Sequence, residues 1–250
     1  MAVWVTGDIH GGIDMHKLSR KELKRRGIKF ERDDFLLILG DFGFPFLDSD
    51  FEKPRGEYHY WMKWFSERKC TVLWIDGNHD NFNFWDSQPI TERFGGRVQI
   101  HPNAPNVLHL MRGEIYEIAG KTFFAFGGAA SHDKEYRTPN VTWWEREEAS
   151  PEEIANAKQN LARFGNKVDY ILTHTPPRSI INELPWFSNS KDRTADFLEE
   201  VLALTDYRLW LCGHIHREIC VQRARLMSLY QSVYEIGELV EAVEFGIAKT

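Results

Sequence analysis

Five apolar runs recur along the chain, and each ends at a small or polar break that is followed by Asp, Asn or His. The runs are rich in apolar and β-branched residues, which is typical of buried strands. They are 2–6, 35–39, 71–75, 168–172 and 207–212. Ligands of open α/β sheets bind at the carboxyl ends of the strands, so the five polar segments are expected to converge on one site.

The polar segments offer oxygen and nitrogen ligands without any thiolate. Their seven candidate ligands are Asp8, His10, Asp41, Asn78, His174, His214 and His216. Such a set suits Mn²⁺, Fe or Zn²⁺ rather than an iron–sulfur cluster. One ion with open positions uses about three or four protein ligands, so the sequence predicts two ions. Asp41 is alone on its strand end and is predicted to bridge them.

His79 lies beside the candidate ligand Asn78 and is not needed as a ligand itself. It is predicted to protonate a leaving oxygen, with Asp80 orienting its ring. Two ions roughly 3.5–4 Å apart lower the pKa of a bridging water and hold a phosphoryl oxygen for in-line displacement. The predicted reaction is therefore hydrolysis of a phosphomonoester or phosphodiester by a hydroxide that bridges two metal ions. A nucleotide-like substrate is one of the options.

Length and composition indicate a globular protein. The 250 residues are 42% apolar and 27% charged, which are ordinary globular values. No repeat or linker divides them, so we expect one domain over residues 1–250. The net charge of −6 gives no general attraction to nucleic acid or an anionic membrane. A phosphoester substrate is therefore favoured over nucleic acid as the partner. No apolar run approaches the length of about 20 residues that is needed to span a bilayer, so no membrane partner is expected.

The cysteines indicate a reducing compartment. Cys70, Cys212 and Cys220 form no Cys-x-x-Cys pair, which is typical of reduced thiols. The first strand begins at residue 2, which leaves no room for a signal peptide. We therefore expect a cytoplasmic protein, and nothing in the sequence indicates an oligomeric state.

Helical patterns separate the strands at the two ends of the chain. Asp14 is expected to cap a basic helix that runs to about Arg26 with a solvated face. Residues 81–105 are expected to form loop and short helix, and residues 113–126 a hairpin. Further helices are expected around residues 58–65, from a capping box at Ser150, and over residues 192–204. The tail, residues 226–243, is expected to form one or two strands.

The five motifs together resemble the signature of the calcineurin-like metallophosphoesterases. The order Asp-x-His, Gly-Asp, Gly-Asn-His-Asp, His and Gly-His-x-His spans residues 7–216. The resemblance implies an α/β fold, a four-layer α-β-β-α sandwich of two mixed β-sheets flanked by helices. It also implies two divalent ions, with Mn²⁺ as the first choice and Fe, Zn²⁺, Ni²⁺ or Mg²⁺ as alternatives. The implied ligands are Asp8, His10, Asp41 and His216 for one ion, and Asp41, Asn78, His174 and His214 for the other. His79 matches the proton donor of the family.

Two departures from the family pattern argue against a protein phosphatase. The second motif lacks the Gly-Asp-x-Val-Asp-Arg-Gly extension of that branch, and the third motif ends in Asp80 instead of Glu. Without that arginine, substrate binding is expected from Asn78 together with other polar groups. These are His132, Lys134, Arg137 and Arg178.

Three other functions remain open from the sequence. They are a nuclease acting on DNA or RNA, a protein phosphatase, and a non-catalytic scaffold with the same fold. A scaffold is expected to have lost ligands, whereas this chain retains them. The substrate pocket is expected to come from the loops 44–57, 82–106 and 128–150.

Overall fold

A computed structural model describes residues 1–52, 55–185 and 191–245, so residues 53 and 54 of the expected substrate loop lie outside the described residues. The described residues form two mixed β-sheets that pack face to face, with helices on the outer side of each. This is the four-layer α-β-β-α sandwich that the sequence predicted.

The strands follow the apolar runs closely. They are β1 Val3–Thr6, β2 Phe35–Ile38, β3 Thr71–Trp74, β4 Ile90–Arg93, β5 Gly96–Ile100, β6 Val107–Leu110, β7 Glu114–Ile118, β8 Lys121–Phe126, β9 Tyr170–Thr173, β10 Leu209–Cys212, β11 Ile219–Val221, β12 Leu226–Ser228 and β13 Val233–Glu235. The first sheet has the order β13-β1-β2-β3-β6-β5-β4, and the second has the order β11-β12-β10-β9-β8-β7.

Helices connect the strands and cover the outer faces. They are α1 Arg20–Arg25, α2 Asp48–Glu52, α3 Glu57–Ser66, α4 Phe82–Asp86, α5 Pro151–Arg163, α6 Arg178–Asn182, α7 Arg193–Leu204 and α8 Ile236–Phe245. Ser150 caps α5 in the predicted capping box, and Asp192 caps α7. No helix in these parts of the chain is long and apolar enough to cross a membrane.

Successive side chains on each strand enter two different cores, because they point to opposite faces of the sheet. Leu37 of β2 and Leu211 of β10 pack in the core between the sheets. Leu36 packs outward against α3, and Trp210 packs outward in the core below α5 and α7. Burial on both faces explains the unbroken apolar runs.

The central strands are parallel within each sheet. β1 pairs with β2 and β2 with β3, while β8 pairs with β9 and β9 with β10. The carboxyl ends of neighbouring strands therefore lie together. Across the two sheets, the imidazole Nδ1 of His174 lies 2.8 Å from the carbonyl oxygen of Leu39. The segments that follow both sets of strands consequently share one edge of the sandwich.

One expectation for local structure was wrong, and two were incomplete. The stretch after Asp14 is a short 3-10 turn, Met15–Leu18, followed by α1, which Ser19 caps. The weakly periodic stretch 81–105 contains the hairpin of β4 and β5 in addition to α4. The tail adds α8 after its strands, because Leu239 and Val243 complete the core between the sheets.

Candidate metal centre

Four of the predicted ligands meet at the carboxyl ends of β1, β2 and β10. Asp8, His10, Asp41 and His216 each offer one ligand atom, and these atoms all lie within 4.8 Å of one another. The Nε2 atom of His10 is 3.2 Å from Oδ2 of Asp41, and Nε2 of His216 is 3.1 Å from Oδ2 of Asp8. Two carboxylates and two imidazoles form a donor set that suits a divalent transition-metal ion.

His10 is oriented by a residue that sequence reasoning took for a helix cap. The Nδ1 atom of His10 lies 2.7 Å from Oδ2 of Asp14, and the hydroxyl of Tyr230 donates to Oδ1 of Asp14 at 3.0 Å. A proton on Nδ1 leaves the lone pair of Nε2 toward the cluster. The only sequence signal was the four-residue spacing. Burial lowers the pKa of His10, but Asp41, Asp8 and Asp14 outweigh it and raise that pKa to about 9.

A second group of predicted ligands lies on the other side of Asp41. The Nε2 atom of His174 is 3.1 Å from Oδ1 of Asn78 and 3.4 Å from Oδ1 of Asp41. The carbonyl of Leu39 accepts from Nδ1–H, so in the neutral ring the lone pair of Nε2 faces Oδ1 of Asn78 and Oδ1 of Asp41. Burial lowers the pKa of His174, but Asp41 and Asp8 outweigh it and raise that pKa to about 10.

The amide of Asn78 is turned by a neighbouring hydroxyl. Its Nδ2 donates to Oγ of Ser131 at 3.1 Å, so its Oδ1 faces His174. Ser131 belongs to the glycine-rich loop after β8. Its hydroxyl also hydrogen-bonds the buried carboxyl of Glu147, whose pKa burial raises to about 8. Sequence reasoning missed this pair, because it depends on two distant loops meeting.

His214 lies behind this second group. Its ring centroid is 4.9 Å from that of His174 and 5.9 Å from that of His132. Its backbone N–H donates to both carboxylate oxygens of Asp8 at 3.2 Å. Burial and the charge of His174 hold the pKa of His214 well below its ordinary value. The structure thus brings the seven predicted ligands together, with Asn78, His174 and His214 outside the tight group of four.

One buried acceptor of the centre lacks a donor. Oδ2 of Asp41 is buried and has no hydrogen-bond partner among the described residues. Burial opposes ionisation of Asp41, yet His174 and His79 hold its pKa well below the ordinary value. An ionised carboxylate without enough donors is costly to bury unless a cation compensates it. The residues present therefore fit bound metal ions.

The backbone at the ligands is unusual. Residues His10, Asp41, His214 and His216 have positive φ angles of 44°, 46°, 64° and 53°. Residues other than glycine rarely adopt positive φ angles. Backbone strain of this kind concentrates at functional sites, where the surrounding structure enforces it. The strain was not visible in the sequence.

Two glycines of the motifs leave room for ligands of other motifs. A Cβ at Gly40 would overlap the ring of His174, and a Cβ at Gly77 would overlap Oδ1 of Asp41. Gly40 also has a φ of 98°, which glycine adopts without steric cost. These glycines therefore allow the strand ends to approach one another closely.

His79 contacts Arg137 rather than Asp80. The guanidinium Nη1 of Arg137 lies 2.9 Å from Nδ1 of His79, and the backbone N–H of His79 donates to Oδ1 of Asp41 at 2.8 Å. Asp80 accepts the backbone N–H groups of Gly43 and Gly77, each at 2.7 Å. Asp80 thus fixes the loops and does not orient the imidazole by direct contact. Burial lowers the pKa of His79 against the opposing charge of Asp41, and Arg137 lowers it further.

Some of the predicted substrate-binding residues contact predicted site residues, and others contact groups elsewhere. Arg137 and His132 lie beside predicted site residues, through His79 and His214 respectively. Lys134 is exposed, with its amine 5.8 Å from the ring centroid of Trp143. Arg178 holds the start of α6 to α7, since it donates to the side chain of Asp196 and the carbonyl of Asp192.

Lys17 was expected on a solvated helix face, and that expectation was wrong. Its side chain is completely buried and donates to the carbonyls of Gly7, Asp8 and Tyr230. Burial lowers its pKa to about 8 against the raising influence of Asp8 and Asp14. The amine therefore holds the backbone on which Asp8 stands.

The model of one protein family matches most of the chain. Residues 1–218 match the family described as calcineurin-like phosphoesterase. The chain belongs to the calcineurin-like phosphoesterases. Its family makes this phosphoesterase a metal-dependent hydrolase, in agreement with the candidate cluster of four ligands.

One solved structure shares the fold of this phosphoesterase at low identity, and others align with it less closely. One crystal structure aligns over 94% of this chain and 95% of its own, with 10% identity and a TM-score of 0.51. The structure of TT1561 of Thermus thermophilus aligns over 95% of both chains, with 11% identity and a TM-score of 0.48. Phosphopantetheinyl hydrolase (PptH) of Mycobacterium tuberculosis aligns over 92% and 90%, with 16% identity and a TM-score of 0.42. No curated protein matches the chain.

Proposed function

We propose that this chain hydrolyses a small phosphoric ester with the help of two divalent ions held around Asp41. The observation that carries the proposal is the convergence of ligand atoms from Asp8, His10, Asp41 and His216 within 4.8 Å. Asp41 also lies 3.4 Å from His174, so one carboxylate faces both groups of ligands.

The ligands divide between the two ions as the geometry groups them. Asp8, His10 and His216 would hold one ion, while Asn78, His174 and His214 would hold the other, and Asp41 would contact both. Two ions, when bound, would neutralise the phosphoryl charge and supply an activated water as nucleophile. Mn²⁺ is the first choice for both positions, and the protein is proposed to work in the cytoplasm.

His79 and Arg137 would act on the phosphoryl group from beside the ligands. Arg137 is fixed by Asp133, whose carboxylate lies 2.7 Å from its Nε atom. A guanidinium held in this way can bind a phosphoryl oxygen in a defined orientation. His79 would then give a proton to the leaving oxygen, because its ring lies at the open side of the cluster, 5.6 Å from the ring of His10.

A panel of phosphoric esters tests this function. Metal content is measured after loading with Mn²⁺, Zn²⁺ or Fe²⁺, and hydrolysis of monoesters and diesters is measured with each metal. We expect about two ions per chain and turnover of at least one ester. A protein that binds no ions and hydrolyses none of the esters would instead be a scaffold.

The role of His79 is tested separately with the change His79→Ala. We expect the metal content to stay the same and turnover to fall by roughly 10²-fold or more on alkyl esters, which leave as strong bases. Aryl esters with acidic leaving groups are the control, because they need less help from an acid. Equal turnover of alkyl esters by variant and parent would exclude the proton-donor role.

A further inference from the structure

A cleft of about 620 Å³ opens directly beside the candidate metal centre. His10 and His79 line its inner end, so a molecule in this cleft would be in contact with the reacting group. The volume is within the range of roughly 300–1,000 Å³ that is usual for small-molecule sites. The cleft is therefore large enough for the organic part of an ester.

The walls of the cleft are mainly apolar. Phe44 and Tyr58 are buried and line it, and Ile13 lines it although 80% of its side chain is exposed. The hydroxyl of Tyr58 is already engaged, since it lies 3.2 Å from Nε2 of His101 and accepts from Asn103. Tyr58 therefore offers the cleft its ring rather than a free hydroxyl. Together with the rings of Phe44 and Tyr58, Ile13 gives the cleft an apolar wall.

Apart from His10 at the metal centre, the charged residues that line the cleft are acidic within the described part of the chain. Asp50 and Glu57 line it, whereas no Lys or Arg does so within the described residues. Glu57 lies against the backbone of Gly12, and its carboxylate occupies the space that a Cβ at Gly12 would take. Its Oε1 also accepts from the indole of Trp61 at 3.2 Å, which fixes it there. An anion in this part of the cleft would be repelled, whereas a neutral or cationic group would not.

We propose that the cleft binds the leaving alcohol, and that this alcohol is apolar or aromatic and carries no negative charge. This specificity rests on the proposed phosphoesterase function. The substrate class is then an ester with a single phosphate group on an uncharged or cationic organic group. Polyphosphates and esters with a second phosphate or a carboxylate on the alcohol are poor substrates.

Three aryl phosphates of similar shape test the proposal. Their ring carries an aminomethyl, a hydroxymethyl or a carboxylate group opposite the phosphate. We expect kcat/KM to decrease in that order, by roughly tenfold overall, since each partly exposed charge contributes a few-fold at most. In the double variant Asp50→Asn/Glu57→Gln, the ratio of kcat/KM between the aminomethyl and carboxylate esters is expected to fall to roughly twofold, because the two carboxylates of the cleft are gone.

A matched variant controls for nonspecific effects of charge. Glu52→Gln removes an exposed carboxylate near the C-terminal end of α2 that does not line the cleft. We expect the parent order of the three esters to persist in this variant. A parent enzyme that prefers the carboxylate ester, or a double variant with the parent ratio, would overturn the proposal.

A binding measurement that needs no turnover tests the specificity of the cleft separately from the proposed phosphoesterase function. The three matching aryl phosphonates, which cannot be hydrolysed, are titrated calorimetrically into the metal-loaded protein. If the phosphonates bind in the expected order while no ester is hydrolysed, the cleft is specific and the phosphoesterase function is wrong. If the esters are hydrolysed but neither series shows the order, the function stands and the specificity proposal is wrong.

Discussion

The two ligand groups around Asp41 are supported in different ways. On one side, Asp8 is a carboxylate and His10 is oriented by the carboxylate of Asp14. On the other side, Asn78 and His174 are neutral ligands oriented by a hydroxyl and a backbone carbonyl. The first side also reaches solvent, since 46% of the side chain of His216 is exposed, whereas His174 is fully buried.

This difference predicts that the two sides would bind their ions with different affinities. A ligand set with more carboxylates attracts a cation more strongly, because ligand charge tunes affinity. The first side is therefore expected to hold its ion more firmly than the second, although both depend on Asp41. The following tests examine this asymmetry, beginning with the largest expected effect.

The change Asp41→Asn is expected to disable both sides at once. We expect kcat/KM to fall by roughly a thousandfold, because the shared carboxylate contributes to several kcal/mol of charge stabilisation. Metal analysis should show the loss of both ions. The exposed residue Asp33 provides the control Asp33→Asn, which should retain both. Retention of one full ion by Asp41→Asn would show that Asp41 is not shared.

The change Lys17→Met is expected to weaken the first side through its backbone. It keeps the apolar length of the side chain but removes the donor to the carbonyls of Gly7 and Asp8. We expect the free energy of unfolding in urea to fall by about 2–3 kcal/mol, the cost of leaving buried carbonyls without donors. Lys21→Met on the exposed face of α1 should change it little. Equal stability of the two variants would contradict the structural role of Lys17.

The changes Asp14→Asn and Ser131→Ala are expected to affect different ions. Each removes a group that orients a ligand, and such losses weaken metal affinity by roughly 10–100-fold. Asp14→Asn should weaken the ion near His10, and Ser131→Ala the ion near Asn78. Titration with Mn²⁺, followed by electron paramagnetic resonance, separates the two sites. Each variant is the control for the other, and weakening of the same ion in both would refute the division.

Chelation is expected to remove the two ions in sequence. Because the second side has fewer charged ligands of its own, its ion should be lost at a roughly tenfold lower chelator concentration. Metal content and activity are measured together along the titration. Activity should disappear with the first ion, while half of the metal is still bound. Simultaneous loss of both ions would mean that the asymmetry in the ligands does not determine affinity.

The smallest expected effect concerns the carboxyl of Glu147 behind Ser131. Burial raises the pKa of Glu147 from 4.5 to about 8, so the folded state binds its proton more tightly than the unfolded state. The stabilisation is complete below pH 4.5 and is lost as the pH rises through 8. Between pH 5 and 8, the stability of the metal-free protein should therefore decrease more steeply with pH than that of Glu147→Gln. Parallel stability curves for parent and variant would show that Glu147 is ionised throughout.

The sequence by itself predicted the strands and the ligand types. A strand buried on both faces must be an unbroken apolar run, so β1, β2, β3, β9 and β10 could be located without the structure. The residues after them are predicted to be ligands, because Asp, Asn and His are the O and N donors of divalent ions. The order of the motifs was then enough to indicate the family.

Tertiary structure alone decided how these residues are supported. Ser131 and Lys17 contact groups far away in the chain, and nothing in the sequence around them marks that role. Asp14 had only its four-residue spacing from His10 as a signal. Lys17 followed a solvated basic pattern and yet is buried, because the carbonyls of Gly7 and Asp8 after β1 and the carbonyl of Tyr230 needed a donor. Local patterns report the period of a helix or strand, whereas the partner of a buried polar group depends on which distant segments pack together.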